Sequence, residues 1–135
     1  MLIHSKKMTI VKVNLPAEKD INKELQWLGN SLGLFSLRDK DKSCFRVFIE
    51  LLKAAKQRQP LSSDEIAERI GISRGTVIFH INKLMDSGLV IHYKDRYMLR
   101  VENLKHLIEE LEQDIRNIYH DLKETAADID RLMGL

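Results

Sequence analysis

Residues 61–89 constrain the fold most, because their pattern predicts two short helices joined by a tight turn. Ser62 followed three residues later by Glu65 forms a capping box, in which each side chain bonds a backbone amide that the first helical turn leaves unpaired. Gly71 permits the positive φ that ends a short helix, and Ser73 is suited to cap the next one. The stretch therefore predicts two capped helices with one sharp turn between them.

The second of these helices has an apolar side and an outward side. Val77, Ile81 and Leu84 recur at helical spacing and predict the buried side, and Gly88 ends the helix. Positions 75, 79, 82 and 86 then point outward, with positions 76, 78 and 83 on the flanks. The pattern indicates that this helix is the one offered to a partner.

After Gly88 the pattern becomes typical of β-strands, on both sides of Lys94-Asp95, which predicts a short hairpin. In this order of elements, residues 39–100 resemble the winged helix-turn-helix domain of ArsR-like transcriptional regulators, especially the archaeal members with a long C-terminal helix. The resemblance rests on LSSDEIAERIGISRGTVIFHINKLMDSGLV and the hairpin after it. It implies a mainly α fold with a small β-hairpin wing, and double-stranded DNA as the partner.

The proposed DNA-binding site lies on helix 73–87 and the hairpin. Base edges in the major groove present distinguishable patterns, so Arg74 would suit guanine and Asn82 adenine. For any single side chain, a phosphate contact or no contact is the simpler interpretation. Ile78 and Phe79 fit either thymine methyl groups or a protein partner, and the resemblance implies basic residues in the wing. The candidate DNA-binding residues are Ser62, Ser73, Arg74, Gly75, Thr76, Phe79, Asn82, Lys83, Lys94 and Arg96.

The net charge of +2 conceals a division between two parts of the chain. Residues 1–100 contain 18 Lys and Arg against 11 Asp and Glu, a net charge of +7, whereas residues 101–135 contain 4 against 9, a net charge of −5. A basic body can lie against a polyanion, while phosphates would repel the acidic part. We therefore expect residues 101–135 to point away from DNA.

The sequence of residues 1–38 predicts a strand and an amphipathic helix, which would pack in a dimer or a bundle. Residues 8–15 are rich in β-branched residues and predict the strand. From Ala17, apolar residues at helical spacing predict the helix, which ends between Gly29 and Gly33. Trp27 lies in this apolar stripe, where packing is a simpler interpretation than base stacking.

The next helix follows a polar linker, in which Asp39 or Asp41 is suited to cap it. The helix is expected to end before Pro60. His80, which belongs to helix 73–87, is expected to be half-buried. Cys44 is the single cysteine and is expected to be a buried thiol. The predicted buried stripe of this helix is Phe45, Phe48, Ile49, Leu52 and Ala55.

Residues 101–135 predict a long helix with a heptad seam of about four repeats. In a parallel coiled coil, Asp114, Asp121 and Asp128 would face no opposite charge, which argues against a simple zipper. The alternative is a small bundle in which each tail helix packs on the N-terminal helix and on the partner subunit. Either arrangement predicts a homodimer, because a monomer would expose the seam. The candidate dimerisation residues are Leu104, Ile108, Leu111, Ile115, Ile118, Leu122, Ile129 and Leu132.

Several classes of function lack support in the sequence. No nucleophile motif, phosphate loop or metalloprotease pair occurs, so we expect neither enzymatic activity nor a cofactor. The lone cysteine, and the separation of His106 from His120 by about 21 Å along one helix, argue against the metal sites of some ArsR-like regulators. No apolar run approaches the roughly 20 residues that cross a membrane, and no signal peptide is recognisable, so we expect a cytoplasmic protein.

The sequence thus predicts a homodimeric, sequence-specific DNA-binding regulator of transcription that represses by reading an inverted-repeat operator. Two alternatives stay open: a winged-helix module for protein–protein interaction, and a nonspecific architectural DNA binder. The operator, the target genes, the direction of regulation and any effector or protein partner are not specified by the sequence.

Overall fold

The computed structural model describes residues 7–135, which form five helices and one two-stranded antiparallel sheet. Residues 1–6, part of the predicted N-terminal unit, lie outside the described residues. The elements are α1 (Ile21–Ser31), α2 (Ser43–Ala55), α3 (Ser63–Ile70), α4 (Arg74–Asp86), β1 (Val90–Tyr93), β2 (Arg96–Leu99) and α5 (Leu104–Met133). This order confirms the predicted mainly α fold with a hairpin wing and a long last helix.

The turn between α3 and α4 forms through the predicted local interactions. Ser62 Oγ accepts a hydrogen bond from the Glu65 amide at 3.1 Å, and Ser73 Oγ accepts one from the Thr76 amide at 3.2 Å. Gly71 has a φ of 72°, a left-handed conformation in which a side chain would be strained. Both caps and the sharp turn are therefore confirmed.

The core lies where α2 packs against α3, α4 and β2. Val77, Ile81 and Leu84 of α4 are fully buried, which confirms the predicted inner side of that helix. They belong to one cluster with Val47 and Phe48 of α2. Helix α4 is thus anchored along one side by apolar packing.

The buried side of α2 differs from the prediction. Phe48 and Ala55 are buried as expected, but Phe45, Ile49 and Leu52 are only partly buried. The apolar residues of α2 that are buried outside the predicted stripe are Cys44, Val47, Leu51 and Ala54. The reason is that α2 is covered on two sides, since the Phe45 ring lies against Phe35 and so close to Gly29 of α1 that a Cβ there would be 2.7 Å from it. The predicted stripe thus included Phe45, which lies beside α1, together with two residues that are only partly buried at the edge of the core.

Cys44 is buried at the start of α2, as predicted. Burial raises the pKa of its thiol to about 11, so the thiol stays protonated at neutral pH. This is the behaviour of a packing residue, because the thiolate is the reactive form of cysteine.

The strand predicted over residues 8–15 is wrong, because the segment is irregular and pairs with no other strand among residues 7–135. Its polar groups bond to α1 instead: the Val11 amide donates to the Ser31 carbonyl at 2.8 Å, and Trp27 Nε1 donates to the Val13 carbonyl at 3.1 Å. Helix α1 also begins later than predicted, because Asp20 caps it by accepting a hydrogen bond from the Asn22 amide at 2.8 Å.

Helix α5 packs on the body only through its first turns. Leu107 and Leu111 are buried in the core, and the Arg100 guanidinium binds the Asp114 carboxylate at 2.5 and 3.1 Å. All residues from Arg116 to Leu135 are exposed. The helix therefore extends past the body with an uncovered apolar side. Within residues 7–135, no helix has both the length and the apolar character to cross a membrane.

We expect Phe48→Ala to lower the free energy of unfolding by about 3–5 kcal/mol, because it empties a fully enclosed site in the core. Phe79→Ala is the matched control, since the Phe79 side chain is 68% exposed and its loss should cost less than about 0.5 kcal/mol. Urea denaturation of both variants measures the difference. Equal destabilisation by the two changes would contradict this core.

Candidate nucleic-acid interface

The outward side of α4 is open to solvent, as the sequence predicts. Gly75, Phe79, Asn82 and Asp86 are exposed, and the three predicted flank positions 76, 78 and 83 are partly buried. A Cβ on Gly75 would meet no atom within 4 Å, so nothing in the chain covers this turn of the helix. The surface is therefore free to contact a partner.

Phe79 stands on a ridge between two clefts that flank α4. The loop cleft, about 630 Å³, separates α4 from residues 36–43, and the N-terminal cleft, about 430 Å³, separates it from residues around Lys7 and Gly33. Phe79 and Lys83 line both clefts. The exposed ring is thus surrounded by polar and basic side chains and is not part of a continuous apolar surface.

Arg74, at the start of α4, reaches back to α3. Its Nε donates a hydrogen bond to Ser63 Oγ at 3.2 Å and lies 3.5 Å from the Asp64 carboxylate. Both side chains of the ion pair are mostly exposed, so the pair is weak and water competes for it. Arg74 therefore lies near Ser73 and Thr76 at the start of α4, but its side chain is directed toward α3.

The hairpin is tied to the start of α3. Leu61 and Tyr97 exchange two backbone hydrogen bonds of 2.8 Å, and the Arg96 guanidinium binds the Glu65 carboxylate. Burial raises the pKa of the Glu65 carboxyl, but hydrogen bonds from Arg96 and Ser62 outweigh burial and hold it below its usual value. Arg96 and Ser62 thus have structural partners in the free chain.

Lys94 occupies the turn of the hairpin. Its φ is 56°, and its Nζ lies 5.7 Å from the centre of the Tyr93 ring. The side chain is exposed and forms no ion pair with residues 7–135. Of the two predicted hairpin cations, Lys94 is therefore the one without a carboxylate partner in that range.

Comparison with known proteins finds a similarity, and it lies within this unit. Residues 49–91 match a protein family described as winged helix-turn-helix DNA-binding. The fold of residues 61–99, which is a helix-turn-helix followed by a two-stranded hairpin, agrees with that description. No curated protein and no solved structure is significantly similar to the chain. The match is to the broad class, and the ArsR-like subtype stays a prediction.

Within the winged helix-turn-helix domain, His80 is more deeply buried than predicted, with 6% of its surface exposed. Its Nδ1 forms no hydrogen bond with residues 7–135. Burial lowers the pKa of His80, Asp39 raises it in part and Lys83 lowers it, so the value lies below the usual 6.5. The imidazole is therefore neutral at pH 7 and adds no positive charge to the outer surface.

The predicted dimerisation seam divides into two parts. Leu111 is buried in the chain's own core and Leu104 packs against it, so Leu111 has no surface left for a partner, contrary to the prediction. The remaining part of the seam lies on α5 at the edge of the body or beyond it. The exposed side chains there are Ile108, Ile118, Leu122, Ile129 and Leu132. Ile115 is partly buried.

Helix α5 also brings together three possible metal ligands. The ligand atoms of His120, Asp121 and Glu124 lie within 4.8 Å of one another, and His120 Nε2 is 3.3 Å from a Glu124 oxygen. All three are exposed and lie on one helix, so the group resembles an ordinary surface ion pair. His106 is exposed near the start of the helix, where its backbone amide bonds Asn103.

Two basic residues near α4 were not among the predicted site residues. Arg38 and Lys40 line the loop cleft opposite Thr76, Phe79 and Lys83. The sequence of residues 34–43 predicts a polar linker, and its basic content is the only signal of a functional role. No local pattern indicates that this linker lies beside a helix about 40 residues further along the chain.

We expect the free energy of unfolding to fall as the pH is lowered from 7 towards 5, because the unfolded chain protonates His80 near pH 6.5 while the folded chain excludes that proton. His80→Leu should make this pH dependence shallower, whatever its effect on stability at pH 7. His92→Gln, at an exposed position, is the control and should keep the dependence of the unchanged protein. Urea denaturation at several pH values measures the slopes, and an unchanged slope in His80→Leu would contradict the assignment.

Proposed function

We propose that the chain is a homodimeric, sequence-specific regulator of transcription that inserts α4 into the major groove and represses by covering a promoter. The observation that carries the proposal is the two-sided environment of α4. Its inner side is fully buried, while its outer side is exposed between two clefts. A helix fixed along one side presents the other in a constant orientation, which base readout requires.

Charge favours DNA over a protein partner at this surface. Phe79 is apolar and exposed, but Lys83, Arg38 and Lys40 surround it and form no ion pairs with residues 7–135. An apolar protein surface would bury these cations without compensation, whereas a duplex supplies phosphates at its groove edges. Phe79 would then lie against thymine methyl groups, which are the apolar features of the major groove.

Within this proposal, the predicted residues take different parts. Arg74 exchanges its weak ion pair with Asp64 for a guanine edge or a phosphate, which costs little because the pair is exposed. Asn82 and Thr76 lie along the same outer surface, within reach of base edges or backbone. Lys94, at the tip of the wing, contacts a phosphate. Arg96 and Ser62 act indirectly, by holding the wing to the start of α3.

The dimer part of the proposal rests on two uncovered apolar surfaces. The first is the exposed side of α5, which includes Ile118, Leu122 and Ile129. The second is a groove of about 650 Å³ that Trp27, Leu52 and neighbouring residues form beside the start of α5. A monomer would leave both in water, whereas the bundle arrangement covers them with the partner's α5. Two recognition helices about 34–36 Å apart would then read an inverted repeat.

Arg74→Ala should weaken binding to the operator by about 1–3 kcal/mol and relax its sequence preference, because it removes a candidate base contact. Lys94→Ala is the comparison, and should weaken binding to all duplexes by about the same factor. Gel-shift titrations at fixed salt, with the protein's own upstream region and with random duplex, measure both effects.

The same titrations distinguish the alternative functions. Binding of the unchanged protein to both duplexes with equal affinity would favour an architectural DNA binder. No binding to either duplex at low salt would contradict DNA binding and favour a protein-interaction module. Arg74→Ala with unchanged operator affinity and preference would remove that residue from the site.

Leu122→Asp combined with Ile129→Asp should convert the dimer to a monomer, because it places two charges in the proposed interface. His120→Asp combined with Ala127→Asp is the matched control, since it adds charges to the opposite side of α5 and should leave the dimer intact. All four positions are exposed within one chain, so the fold of the monomer is unaffected. Sedimentation velocity measures the oligomeric state, and a monomeric unchanged protein would contradict the proposal.

A further inference from the structure

The loop between α1 and α2 is held in a defined conformation beside the recognition helix. Within it, the Asp39 amide donates to the Ser36 carbonyl and the Lys42 amide to the Asp39 carbonyl, both at 3.1 Å. The Asp39 carboxylate accepts hydrogen bonds of 2.8 Å from the Ser43 and Cys44 amides at the start of α2. The loop is therefore fixed in the free chain, and ordering it on binding would cost little.

The hydrogen bonds of Asp39 change the charge that the loop presents. Burial raises the pKa of the Asp39 carboxyl, but the bonds from Cys44 and Ser43 outweigh burial and keep it below 3.8, so it is ionised at neutral pH. Its negative charge is directed at the first amides of α2, which compensate it. Arg38 and Lys40 on either side of it are exposed.

Arg38 and Lys40 differ in their partners from Arg74 and Arg96. Arg74 pairs with Asp64 and Arg96 binds Glu65, whereas Arg38 and Lys40 form no ion pair with any residue of the range 7–135. They line the loop cleft together with Lys83 of α4. Asp41 also lines this cleft and is the one carboxylate there, apart from Asp39, that opposes them.

We propose that this loop is a second DNA-contacting element, in which Arg38 and Lys40 bind phosphates of the backbone that borders the major groove next to Thr76 and Lys83. The inference rests on the proposed function, because it requires α4 to lie in that groove. A helix in the major groove has a phosphate backbone on each side, and the loop cleft opens on one side of α4. The loop would then position the helix without reading sequence.

The proposal also predicts that removing Asp41 changes DNA affinity in the opposite direction to removing Arg38 and Lys40. An exposed carboxylate in the same cleft is repelled by the phosphates that Arg38 and Lys40 attract. Its removal should therefore strengthen DNA binding, whereas a loop that lies away from the duplex would be insensitive to the change at physiological salt, where screening is strong.

The test compares three variants in gel-shift titrations over a range of salt concentrations. Arg38→Ala combined with Lys40→Ala should weaken binding to operator and random duplex equally, on the order of 10-fold to 100-fold at 0.1 M salt, and reduce the slope of log affinity against log salt by about 1.8. Asp41→Asn should strengthen binding to both duplexes by a few fold. Arg116→Ala combined with Lys123→Ala removes two positive charges from exposed positions on α5 and should change neither affinity nor slope by a comparable amount.

The outcomes separate this inference from the proposed function. If the unchanged protein binds its operator and the Arg38/Lys40 variant keeps the full affinity and salt slope, the loop assignment is overturned while DNA binding stands. If the Arg116/Lys123 control loses as much affinity as the loop variant, the effect is one of overall charge and the assignment is likewise overturned. If no duplex binds at low salt, both proposals fail.

Discussion

The packing of α4 on α2 is the constraint on which the rest of the structure depends. Val77, Ile81 and Leu84 are fully buried in the cluster that includes Phe48, so α4 can neither rotate about its axis nor slide without opening the core. Its outer side is consequently rigid. Hydrogen bonds join the wing to the start of α3, and the loop before α2 to the first turn of α2, so these elements keep fixed positions around the helix.

The features predicted correctly from the sequence are those whose physical cause is complete within a few residues. The caps at Ser62 and Ser73 need only the amides three residues ahead, and the positive φ at Gly71 is a property of one residue. The inner side of α4 follows from one helical period. These signals together define the helix-turn-helix, and the exposed outer side of α4 follows from the same period.

The features predicted incorrectly depend on partners that are distant in the sequence. Residues 8–15 have strand-forming composition, but a strand needs a neighbour, and their polar groups bond to the end of α1. Phe45 belongs to an apolar stripe of α2, but it packs beneath α1 beside Phe35. Arg38 and Lys40 could not be assigned to the candidate site for the same reason, since only the folded chain brings their loop beside α4.

The junction between the domain and α5 would couple the proposed DNA contact to the proposed dimer interface. Arg100 directly follows β2, and its guanidinium binds both Asp114 and Glu110 of α5. The Asp114 hydrogen bond is the main cause that raises the pKa of Arg100, and the pair is mostly buried, so it resists water better than the exposed pairs elsewhere. Because α5 would carry the dimer interface and the wing would touch DNA, this junction would fix the direction of α5 relative to the recognition helix. The separation of the two recognition helices in a dimer, and hence the spacing of the half-sites, would then depend on this ion pair and on the burial of Leu107, together with the dimer interface.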